Sequence, residues 1–341
     1  MYSNKFLKEI IYSKIYTKEG RPRMNENTKE LDEVRTLSLA LGIDAPKDTV
    51  TYLYAKKFAD EVYDLSNGKI KIDVYTDAEL GTNRQMFSTI KQSDNLHFIV
   101  QSTSPQVPFL PKLSLFDMPF IYFNIDDLRR VIDNKAFYEK ISNIYTEGGY
   151  KLLGIGVQLF RHMTSNKEIQ NIDDFKGLKI RIIQNHNHEA FWKALGATVV
   201  PLPVSEIYPS LRFGLIDAQE NPYENIVALN LYKVQKYLVN TYHLPHLLTL
   251  ITSDKFYNSL SLAEKSIINE AAVKATAYAR EKADERFEDL KNFLIENGMT
   301  IVDLPYETRL ALRAKAMPVY QRIRQIIGED SLINSYFGVQ E

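Results

Sequence analysis

Cysteine is missing from the chain altogether, which excludes disulfides, thiolate metal sites and cysteine nucleophiles together. Long apolar runs are missing as well. Nothing approaches the ~20 residues that span a bilayer, and the longest run before residue 35, Ile10-Ile11-Tyr12, falls far short of a secretory apolar core. There is no charge excess of either sign: 42 Lys and Arg stand against 43 Asp and Glu. A chain so balanced offers no basic face for nucleic acid and no polybasic patch for a membrane surface. Enzyme signatures are also wanting, with no Gly-rich phosphate loop, no GxSxG elbow and no HExxH. A cysteine-free chain is compatible with an oxidising compartment.

What is present describes a globular protein. Apolar residues make up 45% and charged residues 25% of 341, enough for two domains that each bury a core. Residues 1–35 read as an extension added to the fold, with a short amphipathic helix over 5–16 and a linker around Gly20 and Pro22. The pattern then becomes regular. Residues 36–41 form a strand and 48–65 a helix whose apolar positions recur at helical spacing. A strand over 69–75, a helix near 83–92 and a strand over 97–101 follow, which predicts an α/β fold with a parallel sheet covered by helices. A second unit repeats the theme with strands at 151–157, 177–183, 197–201 and 216–218 and helices at 188–195 and 205–213. Two similar lobes imply a cleft between them.

Ser261 and Glu264 form a capping box, and Gly298 sits at a C-cap. No Gly or Pro interrupts the stretch between, so one helix of about 55 Å is expected there, long enough to brace both lobes. A coiled coil is the alternative reading of the same segment.

Few residues suggest chemistry. His186-Asn187-His188 is the best metal candidate, against the plainer reading of two solvated histidines at a helix start. Arg181 sits inside the apolar strand Ile180-Arg181-Ile182-Ile183, where a guanidinium is costly unless it meets a carboxylate or an anionic ligand. Arg161 follows Leu159-Phe160 with the same two options open. Glu220-Asn221-Pro222 adds a polar trio at a strand end. Glu220 would be a general base only with a nucleophile or metal beside it, and Asn221 offers an amide.

With these residues in view, the chain resembles the extracytoplasmic solute-binding proteins of TRAP transporters, the DctP type. The resemblance runs from about Thr36 to the C-terminus. It is carried by Glu79-Leu80-Gly81, Leu115-Phe116-Asp117-Met118-Pro119-Phe120, Arg161-His162-Met163-Thr164-Ser165-Asn166 and Phe175-Lys176-Gly177-Leu178-Lys179-Ile180-Arg181. It continues through Leu195-Gly196-Ala197, Pro203-Val204-Ser205-Glu206-Ile207-Tyr208, Asp217-Ala218-Gln219-Glu220-Asn221-Pro222 and Val234-Gln235-Lys236-Tyr237.

The resemblance implies a two-lobed periplasmic-binding-protein-like fold with crossing strands and a long bracing helix. It places residues 36–158 with 247–286 in lobe I and 159–246 with 287–341 in lobe II. It implies a monomer of the periplasm or extracytoplasmic space, not an enzyme, that needs no cofactor or metal, captures an organic acid and hands it to membrane permease subunits. The position matching Arg181 makes the paired contact to a ligand carboxylate, and those matching Arg161 and Asn221 assist. Asp44, Asn83, Gln101, Gln158, Gln184 and Glu220 complete the expected ligand set.

Sialic-acid-binding relatives carry charged residues where this chain has Gln101 and Ser104, and an aromatic where it has Val204. Hydrogen-bonding groups with a single charge suit a hydroxylated sugar acid, with a dicarboxylate or keto acid next. A sensor of the same fold, or an α/β enzyme acting on an organic acid, are the competing classes.

Overall fold

The computed structural model describes residues 34–338, so the expected extension over 1–35 and its helix lie almost entirely outside the described residues. Among the described residues, nine strands form one mixed sheet in the order β2-β1-β3-β8-β4-β7-β5-β6, with β9 paired on β8. They are β1 (Leu37–Gly42), β2 (Ile70–Tyr75), β3 (Phe98–Ser102), β4 (Tyr150–Ser165), β5 (Lys179–Ile182), β6 (Thr198–Pro201), β7 (Ala218–Asn221), β8 (Tyr237–Ser253) and β9 (Thr300–Asp303).

The parallel sheet predicted from the alternation of strands and helices holds only within each half. β1 pairs in parallel with β2 and β3, and β5 with β6 and β7. The halves are joined by β4 and β8, which run antiparallel to each other and to β3 and β7. The predicted strand over 151–157 is therefore the first half of a 16-residue strand that continues through Arg161. β4 and β8 are buried along nearly their whole length. An element buried on both faces shows no alternation, which is why periodicity missed β8. Both strands are irregular in the middle: the β4–β8 register shifts between Val157 and Phe160, and Leu159 and Tyr242 adopt positive φ of 59° and 48°.

Helix starts follow local chemistry. The Thr49 hydroxyl accepts from Tyr52 N at the head of Val50–Leu65, and Ser261 with Glu264 forms the predicted capping box. The long helix, however, is not continuous. It runs over Leu262–Glu285, breaks at Arg286, and resumes as Phe287–Glu296. Before the break, a stripe of Ala271, Ala272, Ala275, Ala279 and Ala283 packs with Tyr54, Phe58 and Leu250, so this helix face is intramolecular core and not a coiled-coil seam. It lies so close to β4 that a Cβ at Gly154 would collide with the Thr276 and Tyr54 hydroxyls. After the break, Phe287 and Leu294 join a different cluster with Ile207, Leu211, Tyr223 and Leu238. A change of core partner, with Arg286 turned onto Asp48, accounts for the break.

The C-terminal helices Met317–Ile327 and Asp330–Tyr336 pack on the segment 111–147, where Tyr336 stacks on Phe137 and meets Phe116 and Tyr122 edge-on, while Tyr306–Lys315 packs on residues 170–175. The sequence-based division placed that C-terminal segment in lobe II and its 111–147 partner in lobe I.

A candidate ligand-binding cleft

A cavity of about 300 Å³ opens beyond the carboxyl ends of β1 and β5, the usual position for ligands on α/β sheets. Asp44 lies two residues past β1, and Gln184 two past β5. Asn83 and Arg84 begin the helix Asn83–Thr89, and Val204 closes the far wall.

Arg181 is the central cation. It is 1% exposed. Its Nε and Nη2 donate to the Leu202 carbonyl at 2.9 and 2.5 Å, while Nη1 has no hydrogen-bond partner among the described residues. Burial pulls its pKa down to about 10, with Glu220 and Asp44 opposing, so it stays charged at neutral pH. Asp44 accepts from Asn83 Nδ2, and burial pushes its carboxyl up to about 6 against the pull of Arg181. Asn83 Oδ1 is left unpaired among the described residues.

Of the nine predicted residues, Asp44, Asn83, Arg181 and Gln184 line this cavity and the other five do not. Arg161, expected beside the ligand, is committed to protein groups. It pairs through Nε and Nη2 with the Glu220 carboxylate, donates to Asn221 Oδ1 at 3.2 Å, and gives Nη1 to His246 Nδ1 at 2.6 Å. An arginine only donates, so the His246 Nδ1 must accept and is unprotonated there. His243 Nε2 donates to Glu220 at 3.1 Å. Burial alone would raise the Glu220 pKa, but Arg161, His188 and His243 hold it well below the usual carboxylate range.

Asn221 is buried between Gln219, Arg161 and Asn225. Gln158 points instead to Glu224. Gln101 is 1% exposed, and neither of its amide atoms has a partner among the described residues.

Sequence reasoning missed Arg84, which is half-buried in the cavity wall and makes no ion pair among the described residues. Its place directly after Asn83 was the available signal. It also misjudged His188. Only His186 is solvated. His188 is fully buried, 3.3 Å from Asp117 and 3.8 Å from Glu220, and these carboxylates raise its pKa despite the burial that lowers it. Asp117 also accepts from Asn185 and Asn187, a polar knot that leaves the histidine pair unavailable as joint ligands. No cluster suited to a metal ion occurs among the described residues.

Two half-sheets joined by long crossing strands, with an arginine at the cleft between their strand ends, define a binding protein for an anionic solute. A family model for bacterial extracellular solute-binding protein, family 7, the DctP type, matches residues 41–325, and the chain belongs to that family.

The chain is 27% identical over 292 residues to the sialic acid-binding periplasmic protein SiaP of Vibrio cholerae, covering 86% of this chain and 90% of that one. Its fold matches the sugar acid binding protein DctPAm from Advenella mimigardefordensis in complex with galactonate, with TM-score 0.85, 26% identity and coverage of 90% and 100%. It also matches a TRAP periplasmic solute-binding protein from Sulfurospirillum deleyianum with bound succinate, with TM-score 0.83, 28% identity and coverage of 90% and 100%. These are two-lobed solute-binding proteins of TRAP transporters, not enzymes. Among the described residues, no helix is long and apolar enough to cross a membrane.

Proposed function

We propose that this chain captures a hydroxylated monocarboxylic acid, a sugar acid, and delivers it as a monomer to the membrane subunits of a TRAP transporter. The observation that carries the reading is the free Nη1 of buried Arg181, facing a cavity whose other polar groups, Asp44, Asn83 and Gln184, suit hydroxyls. A planar guanidinium held rigid on one edge is pre-organised to bind a carboxylate on the other. Asp44 works against a second carboxylate placed near it and favours donors. Arg161 donates to both Glu220 and Asn221, holding β4 and β7 in register beneath the clamp. Gln101 and Ser104 provide no charge for a sialic acid, and the Ser104 hydroxyl is already bonded to Asp117.

The lobes close over the ligand by bending at the irregular centres of β4 and β8. The complex, in small-angle scattering, is then more compact than the free protein. Arg84 favours a second reading, a dicarboxylate held between two guanidinium groups. Titration calorimetry with D-galactonate, D-glucuronate and succinate decides between them. Binding of the sugar acids with little response to succinate supports the first reading; the reverse order overturns it.

A further inference from the structure

Glu224 lies outside the cleft and is used by none of the chemistry above. It sits on the helix Tyr223–Ala228, just past the end of β7, and is 4% exposed. Its Oε2 accepts from Val50 N at 2.8 Å, the first amide of the helix Val50–Leu65, 174 residues away in sequence. The same oxygen accepts from Gln158 Nε2, and Gln158 adjoins Leu159, where β4 carries its positive φ. Oε1 lies 3.3 Å from Arg286 Nε, a charge contact without a hydrogen bond, and burial pushes the carboxyl up to about 7 against the pull of Val50 N, Arg286 and Gln158. Arg286 is the residue at which the long helix breaks, and its other nitrogens donate to Asp48 Oδ1 and O at 3.0 and 2.8 Å, just before the same helix start.

One carboxylate therefore touches the head of a helix packed on β1–β3, the bend of a crossing strand, and the break in the bracing helix. It does so from an element that belongs to the β5–β7 half. Rotating one half away from the other about Leu159 must separate Glu224 from Val50. A buried carboxylate that loses its amide and guanidinium partners in that motion is exchanged for water contacts, so the contact weighs on the closed side.

We infer that Glu224 is an interlobe clasp, a positioning residue that sets the closed-to-open ratio of the protein and through it the affinity for solute. The inference rests on the two-lobed capture proposed above. The two fail separately, because closure of the ligand-free chain is read from a distance whereas capture is read by titration.

Hydrogen bonds to charged groups are strong enough that losing this set shifts the ratio about tenfold or more toward open. The absence of native cysteine lets two spin labels be placed cleanly. Cysteines replace the exposed Ser88 and Glu206, which flank the cavity on its two sides, and interlobe distances of the full chain are measured without ligand. E224A is expected to move the distribution to longer distances. E224Q keeps an acceptor for Val50 N but loses the charge facing Arg286, and is expected to fall between. An E224A distribution that overlies the parent's, in a folded protein, overturns the clasp. If E224A does not fold, E224Q decides in the same way: an intermediate distribution supports the clasp, and one identical to the parent's overturns it.

Discussion

Arg161 and Arg181 are both buried, both sit in strands, Arg161 in the crossing strand β4 and Arg181 in β5, and both lie within the field of Glu220. They differ in what completes them. Arg161 meets a carboxylate, a carbonyl, an amide oxygen and a histidine, all from the protein. Arg181 meets one carbonyl and keeps one nitrogen unengaged toward a cavity. A buried guanidinium filled by its own fold holds strands together, and one with an open edge on a cavity is the one proposed above to receive the solute. Residue type and burial are the same for both; the partners differ.

The comparison is broken most severely by removing Arg161. R161A leaves Glu220 buried with only histidine partners, and breaking a buried pair from one side costs about 3–5 kcal/mol. Thermal melts should show a large loss of stability with or without ligand. A near-normal melt would mean that the pair contributes little to the architecture.

R181K inverts that outcome. The melt without ligand should stay close to the parent's, while calorimetry shows affinity for the sugar acid reduced roughly 30-fold or more, since losing one side of a buried charged contact costs about 2–5 kcal/mol. Unchanged affinity in the folded variant would remove the clamp from Arg181.

Q101L sharpens the comparison at a neutral residue. Gln101 has no partner for either amide atom among the described residues, so replacing it with an apolar side chain of similar size should leave the melting temperature unchanged or raised. Because Gln101 does not line the cavity, affinity for the sugar acid should stay close to the parent's. A lower melting temperature would place Gln101 with Arg161, among the structural residues.

The last test is a tilt with pH. The folded-state pKa of Asp44 is raised to about 6, above an unfolded value near 3.9. The carboxyl therefore lowers stability progressively as pH rises from about 4 to 6, and fully above that. D44N should melt higher than the parent at pH 7.5, with the gap closing as pH falls toward 4. Parallel curves across that range would mean the carboxyl is solvated in the fold.

Much of the fold was legible from local chemistry. The helix Val50–Leu65 shows its buried stripe, Ser261 and Glu264 announce a capped start, and β1 and β2 alternate or end at glycine as short half-buried strands do. The crossing strands were not legible from periodicity, because burial on both faces removes it. The break at Arg286 falls where the residue meets Asp48, 238 residues away, and no window of sequence contains both. His188 reads as a solvated helix-start residue until Asp117 and Glu220 are brought beside it.

Local sequence was enough for the family, for the strands and helices of each parallel half and for two arginines that had to find anions, because apolar spacing, capping and the expense of burying a charge act locally. Which arginine meets a carboxylate from its own fold, and which keeps an edge on a cavity, depends on residues brought together from distant strands. The tertiary structure also decided that Gln158 belongs to the bend and Asn83 to the cleft. A charged or amide side chain is defined by its partners, and those partners arrive from strands and helices distant in the chain.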